Sequence, residues 1–165
     1  MRIAGIAQDS LTHGPGLRFA VFMQGCHFHC AGCQNPDARD PAGGVDFPME
    51  ELSERLRSNP KAQGLTLAGG EPFDQAEDCL ALAKDAHAAG LNVWCYTGWI
   101  LEDLLNRGTE AQKEFLREID VLVDGPFQLH QQTASLPWRT SANQRLIDVP
   151  ASLKQGRTVL WQSAQ

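Results

Sequence analysis

Short apolar runs alternate with helical patterns along this chain, and nearly every run stops at a glycine or a turn signal. Residues 18–24, 64–68, 91–96 and 120–123 read as buried strands, being apolar and rich in β-branched and aromatic side chains. Between the first two lies a helical pattern at 48–58, with Pro48 and acidic residues at its start and Met49, Leu52 and Leu56 on one face. A second helix is expected from Asp74, read with Glu77 as a capping box, to about Ala89, with Gly90 as the left-handed stop. Helical spacing returns at 100–106 and 110–118. Alternation of this kind specifies an α/β fold with a mostly parallel, curved sheet and outer helices. A closed eight-fold barrel takes about 250 residues, so a chain of 165 is expected to form an abbreviated, partial (β/α) barrel or a doubly wound layer, as a single domain over 1–165. Residues 127–143 show no clean period, which marks a functional or mobile segment. Candidate late strands follow at 145–149 and 158–161.

In parallel α/β sheets the C-terminal strand ends share one edge, and ligands bind there. Four unusual loops directly follow predicted strands: the segment from Gly25 to about Pro36, Gly69-Gly70-Glu71-Pro72, Tyr96-Thr97-Gly98, and Asp124-Gly125-Pro126. Strand polarity alone therefore brings the four together at one site.

The first of these loops carries Cys26, Cys30 and Cys33. Three thiolates at this spacing can wrap one iron–sulfur cluster. A four-iron cluster held by three cysteines keeps one iron open for a small molecule, which suits catalysis better than electron carriage. A structural zinc site with His27 or His29 as fourth ligand is the chemical alternative, although zinc motifs generally come as two separated pairs. His27 and His29 read first as loop residues shielding the cluster or meeting a substrate or partner. Cys79 on the apolar side of a helix and Cys95 within a strand read first as small core residues, with a lesser chance that Cys95 faces the site.

The bulk properties exclude several classes. A formal net charge of −6 without a Lys/Arg run argues against sequence-independent nucleic-acid binding. No apolar stretch approaches the roughly 20 residues of a membrane span, and the first nine residues do not read as a signal peptide. A cytoplasmic protein is expected, where clustered cysteines are ligands or nucleophiles before they are disulfides.

The Cys-x3-Cys-x2-Cys spacing followed by Gly69-Gly70-Glu71-Pro72 resembles the radical S-adenosylmethionine superfamily. His13-Gly14-Pro15-Gly16-Leu17-Arg18 is similar to the entry motif of its glycyl-radical-enzyme activases. Gly25-Cys26, Gly32-Cys33 with Asn35, Tyr96-Thr97-Gly98, Val123-Asp124-Gly125-Pro126-Phe127 and Trp138-Arg139 through Asn143-Gln144-Arg145 resemble the subfamily serving anaerobic ribonucleoside-triphosphate reductase. The resemblance implies a [4Fe–4S] cluster on Cys26, Cys30 and Cys33, with S-adenosylmethionine on the open iron. Cofactor contacts are implied for Gly32, Cys33, Gln34, Gly69, Gly70, Glu71, Pro72, Thr97, Gly98 and Asp124. The reaction implied is one-electron cleavage to methionine and a 5′-deoxyadenosyl radical, which abstracts hydrogen from a glycine of the partner reductase. The electron would come from reduced flavodoxin or ferredoxin. Four positions depart from common patterns: Gly32 stands where many superfamily members carry an aromatic, His13 where an acid or amide is usual, Ala68 where a hydroxyl residue is frequent, and Thr140 in place of a glycine.

Two other readings stay open on the sequence. One is an activase of a different glycyl-radical enzyme or a small-molecule enzyme similar to 7-carboxy-7-deazaguanine synthase. The other is a non-catalytic zinc or electron-transfer module.

Overall fold

The structure, a computed structural model, describes residues 1–163. Seven strands form one sheet: β1 (Arg2–Ser10), β2 (Arg18–Met23), β3 (Val45–Asp46), β4 (Gly64–Gly69), β5 (Asn92–Tyr96), β6 (Val121–Asp124) and β7 (Arg145–Asp148). Their order is β3-β1-β2-β4-β5-β6-β7. The inner four, β2, β4, β5 and β6, are parallel, as the strand–helix alternation requires. Both flanks are antiparallel: β1 pairs with β2 and β3, and β7 with β6. The sheet is thus the mostly parallel α/β sheet that the alternation implies, with a parallel middle and antiparallel margins.

Five helices, α1 (Met49–Arg57), α2 (Ala76–Ala88), α3 (Leu101–Arg107), α4 (Glu110–Arg117) and α5 (Val149–Gln155), all bury their apolar faces in one core on the same side of the sheet. Alternation sets which strand residues meet them. Phe19, Val21 and Met23 of β2, Leu65 and Leu67 of β4, Val93 and Cys95 of β5, and Leu122 of β6 point to the helices. Burying each large apolar side chain there contributes about 1.5–3 kcal/mol.

The opposite face is different in kind. Arg18 is fully buried there, and among the described residues no carboxylate pairs with it. Its guanidinium donates to Thr66 Oγ1 (2.6 Å), Leu65 O (2.8 Å), Asn92 Oδ1 (2.8 Å) and Pro15 O (3.2 Å), and lies 5.5 Å from the Trp94 ring centre. Burial lowers its pKa to about 10. A Cβ on Gly14 would come within 2.7 Å of Arg18 Cδ, and one on Gly64 would strike the guanidinium. The Gly-Pro-Gly-Leu-Arg entry motif therefore has a packing explanation: its bare backbone lets the arginine thread across the sheet.

Residues 127–143 are not structureless. Gln132 bridges Ser141, Thr133 N donates to Thr140 O (3.0 Å), and Ala142 N to Gln131 O (2.9 Å). This strap carries Trp138, which packs edge-on with Trp94 and Trp161 at 5.5 and 5.8 Å between ring centres. Three further differences from the sequence reading stand out. β1 and α5 were not expected. Residues 158–161 make only the Ile147–Leu160 bridge rather than a full strand. Asp74 is not a helix cap: α2 begins after Gln75 with no side-chain cap, behind a short 3-10 turn over Pro72–Gln75 that Glu71 caps through Phe73 N.

Candidate functional site

The parallel strands deliver their following loops to one edge, and a cavity of about 280 Å³ lies there. Cys26, Cys30 and Cys33 line it together with Gln34, Gly69, Gly70, Glu71, Thr97 and Gly98. Four loops far apart in sequence thus meet around three free thiols, each partly exposed. The wall is completed by His13, Phe22, Phe28 and Tyr96, by Phe127 and Thr140 from the strap, and by Gln144 just after it.

The cysteine loop is held at its root by the loop after β4. Gly25 O accepts from Glu71 N at 2.8 Å, and Gly70 sits so close to that carbonyl that a Cβ would collide with it. Gly25 N donates to Ala38 O (2.8 Å) and Cys26 N to Arg39 O (3.1 Å). Asp74 takes both the His27 backbone N–H (3.1 Å) and its ring Nδ1 (2.7 Å). Further out, the Arg39 guanidinium donates to His29 Nδ1 at 2.8 Å. On the far side, a Cβ on Gly98 would come within 2.6 Å of the Phe28 ring. That glycine lets the loop between Cys26 and Cys30 pack against the end of β5.

Glu71 is almost fully buried. Its carboxylate accepts from Phe73 N (3.0 Å), Thr97 Oγ1 (2.8 Å) and Gly98 N (2.9 Å). Burial raises its pKa to about 7, against the lowering effect of those donors. Burial likewise pushes the Cys26 thiol up to about 11, with the nearby Glu71 and Asp74 carboxylates adding to it. A metal binding there must displace a proton, which thiophilic iron does.

A sequence profile of the 4Fe-4S single cluster domain family matches residues 12–147. Anaerobic ribonucleoside-triphosphate reductase-activating proteins are similar over most of the chain. The one from Escherichia coli strain K12 is 34% identical over 142 residues, covering 81% of this chain and 90% of the relative. Those from Enterobacteria phage T4 and Salmonella typhi are each 33% identical, covering 82% and 81% of this chain and 86% and 90% of the relatives. The chain belongs to this activating-protein family.

The cavity fits the cofactors of such an activating protein. Three thiols of one loop line it, and the two remaining cysteines lie elsewhere: Cys79 and Cys95 are fully buried on the helix side of the sheet. Three sulfur ligands and one open iron match a four-iron cluster, and the zinc alternative falls with the profile match. Opposite the thiols, Gly69 and Gly70 present bare backbone. A Cβ on Gly69 would come within 2.6 Å of Met23 N, so this stretch is packed as tightly as a main chain allows.

Three residues expected at the cofactor lie off the cavity. Gly32 faces the strap instead, where a Cβ would meet Leu129 at 2.9 Å. Pro72 is buried at the start of the 3-10 turn. Asp124 is buried on the helix side, in register with Leu122. It accepts from Leu101 N (2.9 Å) at the start of α3 and from Arg145 Nε (3.0 Å). Arg145 also reaches both Glu102 oxygens (3.1 and 2.8 Å), which holds the Glu102 carboxyl down to about 2. The Asn143-Gln144-Arg145 stretch is likewise structural in part: Asn143 Nδ2 donates to Pro126 O (2.8 Å) and Gln144 Nε2 to Gly125 O (3.1 Å). The wall residue Phe22 was missed, although alternation from Arg18 places it on the face away from the helices, where Tyr96 of the expected Tyr96-Thr97-Gly98 loop also lies.

Proposed function

We propose that this protein activates an anaerobic ribonucleoside-triphosphate reductase by generating a glycyl radical on its large subunit. It is a radical S-adenosylmethionine oxidoreductase whose residues 1–165 form one domain, with the sheet serving as an abbreviated (β/α) barrel. Cys26, Cys30 and Cys33 hold a [4Fe–4S] cluster, and S-adenosylmethionine binds at the open iron. Bound there, the reduced cluster would supply the electron for splitting S-adenosylmethionine into methionine and the 5′-deoxyadenosyl radical that takes hydrogen from the reductase glycine.

The chain's own residues bind, orient and shield. Gly69 and Gly70 bring backbone polar groups within reach of the methionyl end, where a side chain would stand off the cofactor. Glu71 keeps the Thr97-Gly98 turn against that backbone, so the two loops form one rigid rim. Phe22, Phe28, Tyr96 and Phe127 surround the cavity with apolar surface and exclude water that would quench a carbon radical. Reduced flavodoxin or ferredoxin supplies the electron, and the protein works in the cytoplasm.

The observation that carries this reading is the convergence of three thiols and the Gly69-Gly70 backbone on one cavity, in a chain about a third identical to named activating proteins. The test is anaerobic incubation with the reductase, S-adenosylmethionine and a reductant. Deoxyribonucleotide production should depend on this protein, and a reductase equally active without it would refute the proposal. Activation of a different glycyl-radical enzyme alone would transfer the function to that partner.

A further inference from the structure

A glycine within a strand costs about 0.5–1 kcal/mol relative to alanine, so its presence calls for a cause. Every glycine of this chain but one has such a cause in the fold itself, either a positive φ or a neighbour that a Cβ would meet. The exception is Gly5 in β1. Its φ is not positive, and a Cβ there would find nothing within 4 Å. The β1–β2 register slips between Ile3 and Gly5, but without the left-handed backbone that makes glycine necessary at some bulges.

What Gly5 borders is a trough of about 320 Å³, walled by Ala4 and Gly5 on one side and by Asn35, Asp37 and Ala38 on the other. Phe22, Gln34, Asn35 and Gly69 line both the trough and the thiol cavity, so the two are continuous. Strand pairing on the outer side of β1 ends with Arg2 and Ile3 against β3. Beyond them β1 has no strand partner on that side among the described residues. The trough thus leads from β1, whose outer side is unpaired beyond Ile3, into the site past Ala4, Gly5 and Ala38.

A glycine that reacts inside a cavity must be carried in by its flanking residues. An extended strand is the narrowest form those residues can take, and an open edge can pair with it. A bare position in a strand is also where another backbone approaches closely. We infer that Gly5 is kept without a side chain to admit the extended glycine-bearing segment of the reductase, which lies along the trough and passes Phe22 into the cavity. The inference rests on the proposed function and adds the path by which the substrate enters.

The test uses the full-length, cluster-reconstituted Gly5→Leu protein and the purified reductase. Unchanged iron content and unfolding midpoint establish that it folds, as the open space at Gly5 implies, and Ala4→Leu narrows the same wall from an exposed position should it not. The Kd for the reductase should rise about tenfold, a loss of about 1.4 kcal/mol. Glycyl-radical yield at limiting reductase should fall in step. Release of 5′-deoxyadenosine without reductase should stay within about twofold of wild type, because Ala4 and Gly5 line the trough and not the thiol cavity. Wild-type Kd and radical yield in both variants would overturn the inference. A parallel loss of 5′-deoxyadenosine release would overturn it too, by assigning the trough to the cofactor. A wild-type protein that cleaves S-adenosylmethionine yet never marks the reductase would defeat the proposed function itself, and the inference with it.

Discussion

The Glu71 carboxylate accepts the backbone N–H of Gly98 at 2.9 Å, joining the loop after β4 to the loop after β5 across a gap of 27 residues. The same carboxylate takes Thr97 Oγ1, while the Glu71 backbone N–H holds Gly25 at the root of the cysteine loop. One residue therefore ties three of the four loops that meet at the cavity. The acid of the Gly-Gly-Glu-Pro motif acts through its neighbours, and the glycines beside it are what face the site.

Glu71→Gln tests that relationship. An amide offers one acceptor oxygen, so its NH₂ must confront a donor, either Gly98 N–H or the pair at Phe73 and Thr97. The cost of an unsatisfied buried donor is about 1–3 kcal/mol, read as a lower midpoint in denaturant unfolding. pH gives a second readout. The raised carboxyl, near 7 in the folded protein, still holds a proton where the unfolded chain has lost it. Stability should therefore fall as pH rises from about 4.5 to 7, and the Gln variant should lose that part of the slope.

Asp124→Asn should destabilise without touching the cofactor. The substitution weakens charge-assisted bonds to Arg145, each worth about 1.5–3 kcal/mol, and disturbs the acceptor at the start of α3. The affinity for S-adenosylmethionine, measured by equilibrium dialysis on the reconstituted protein, should match wild type. A selective loss of that affinity would return Asp124 to the cofactor site.

Gly98→Val places a branched side chain against the Phe28 ring, where even a Cβ comes within 2.6 Å. The segment between Cys26 and Cys30 must then shift. We expect fewer irons retained per chain after gel filtration, with far-ultraviolet circular dichroism unchanged. Full iron retention would show that the loop tolerates displacement.

His87 sets a different pH dependence, remote from the site. Its ring spans Glu118 (3.0 Å) and Asp120 (3.1 Å), linking α2 to the turn before β6. Burial lowers its pKa, but the two carboxylates outweigh that and raise it overall. Its contribution is fully present below the unfolded value of about 6.5 and lost as pH climbs through the higher folded value. His87→Gln should flatten unfolding midpoints over that window and leave them unchanged well above it.

The parallel middle of the sheet is legible because each inner strand is apolar and ends at a glycine or an acidic turn, and polarity then fixes where the loops meet. The grouping of Cys26, Cys30 and Cys33 at one cavity is legible because their spacing is local. β1 was not, since a strand with Gly5, Gln8 and Asp9 carries too weak an alternation to register. α5 left a readable trace, Asp148 followed by Pro150, and Asp148 does cap it through Ala151 N. Asp74 misled because a carboxylate near a helix start looks the same whether it caps or reaches 47 residues away to His27. Asp124 was placed by its loop, when its register with Leu122 already assigned it to the helix side. Contacts set by tertiary structure leave no local pattern, and those of Glu71 with Thr97 and of Asp74 with His27 are of that kind.

The most direct test of the account is electron paramagnetic resonance on the reductase after anaerobic incubation with the reduced, reconstituted protein and S-adenosylmethionine. A carbon-centred glycyl signal should appear with wild type and vanish with Cys26→Ala, Cys30→Ala or Cys33→Ala. A signal of equal intensity from any of the three variants, or none from a wild-type protein that releases 5′-deoxyadenosine, would contradict it.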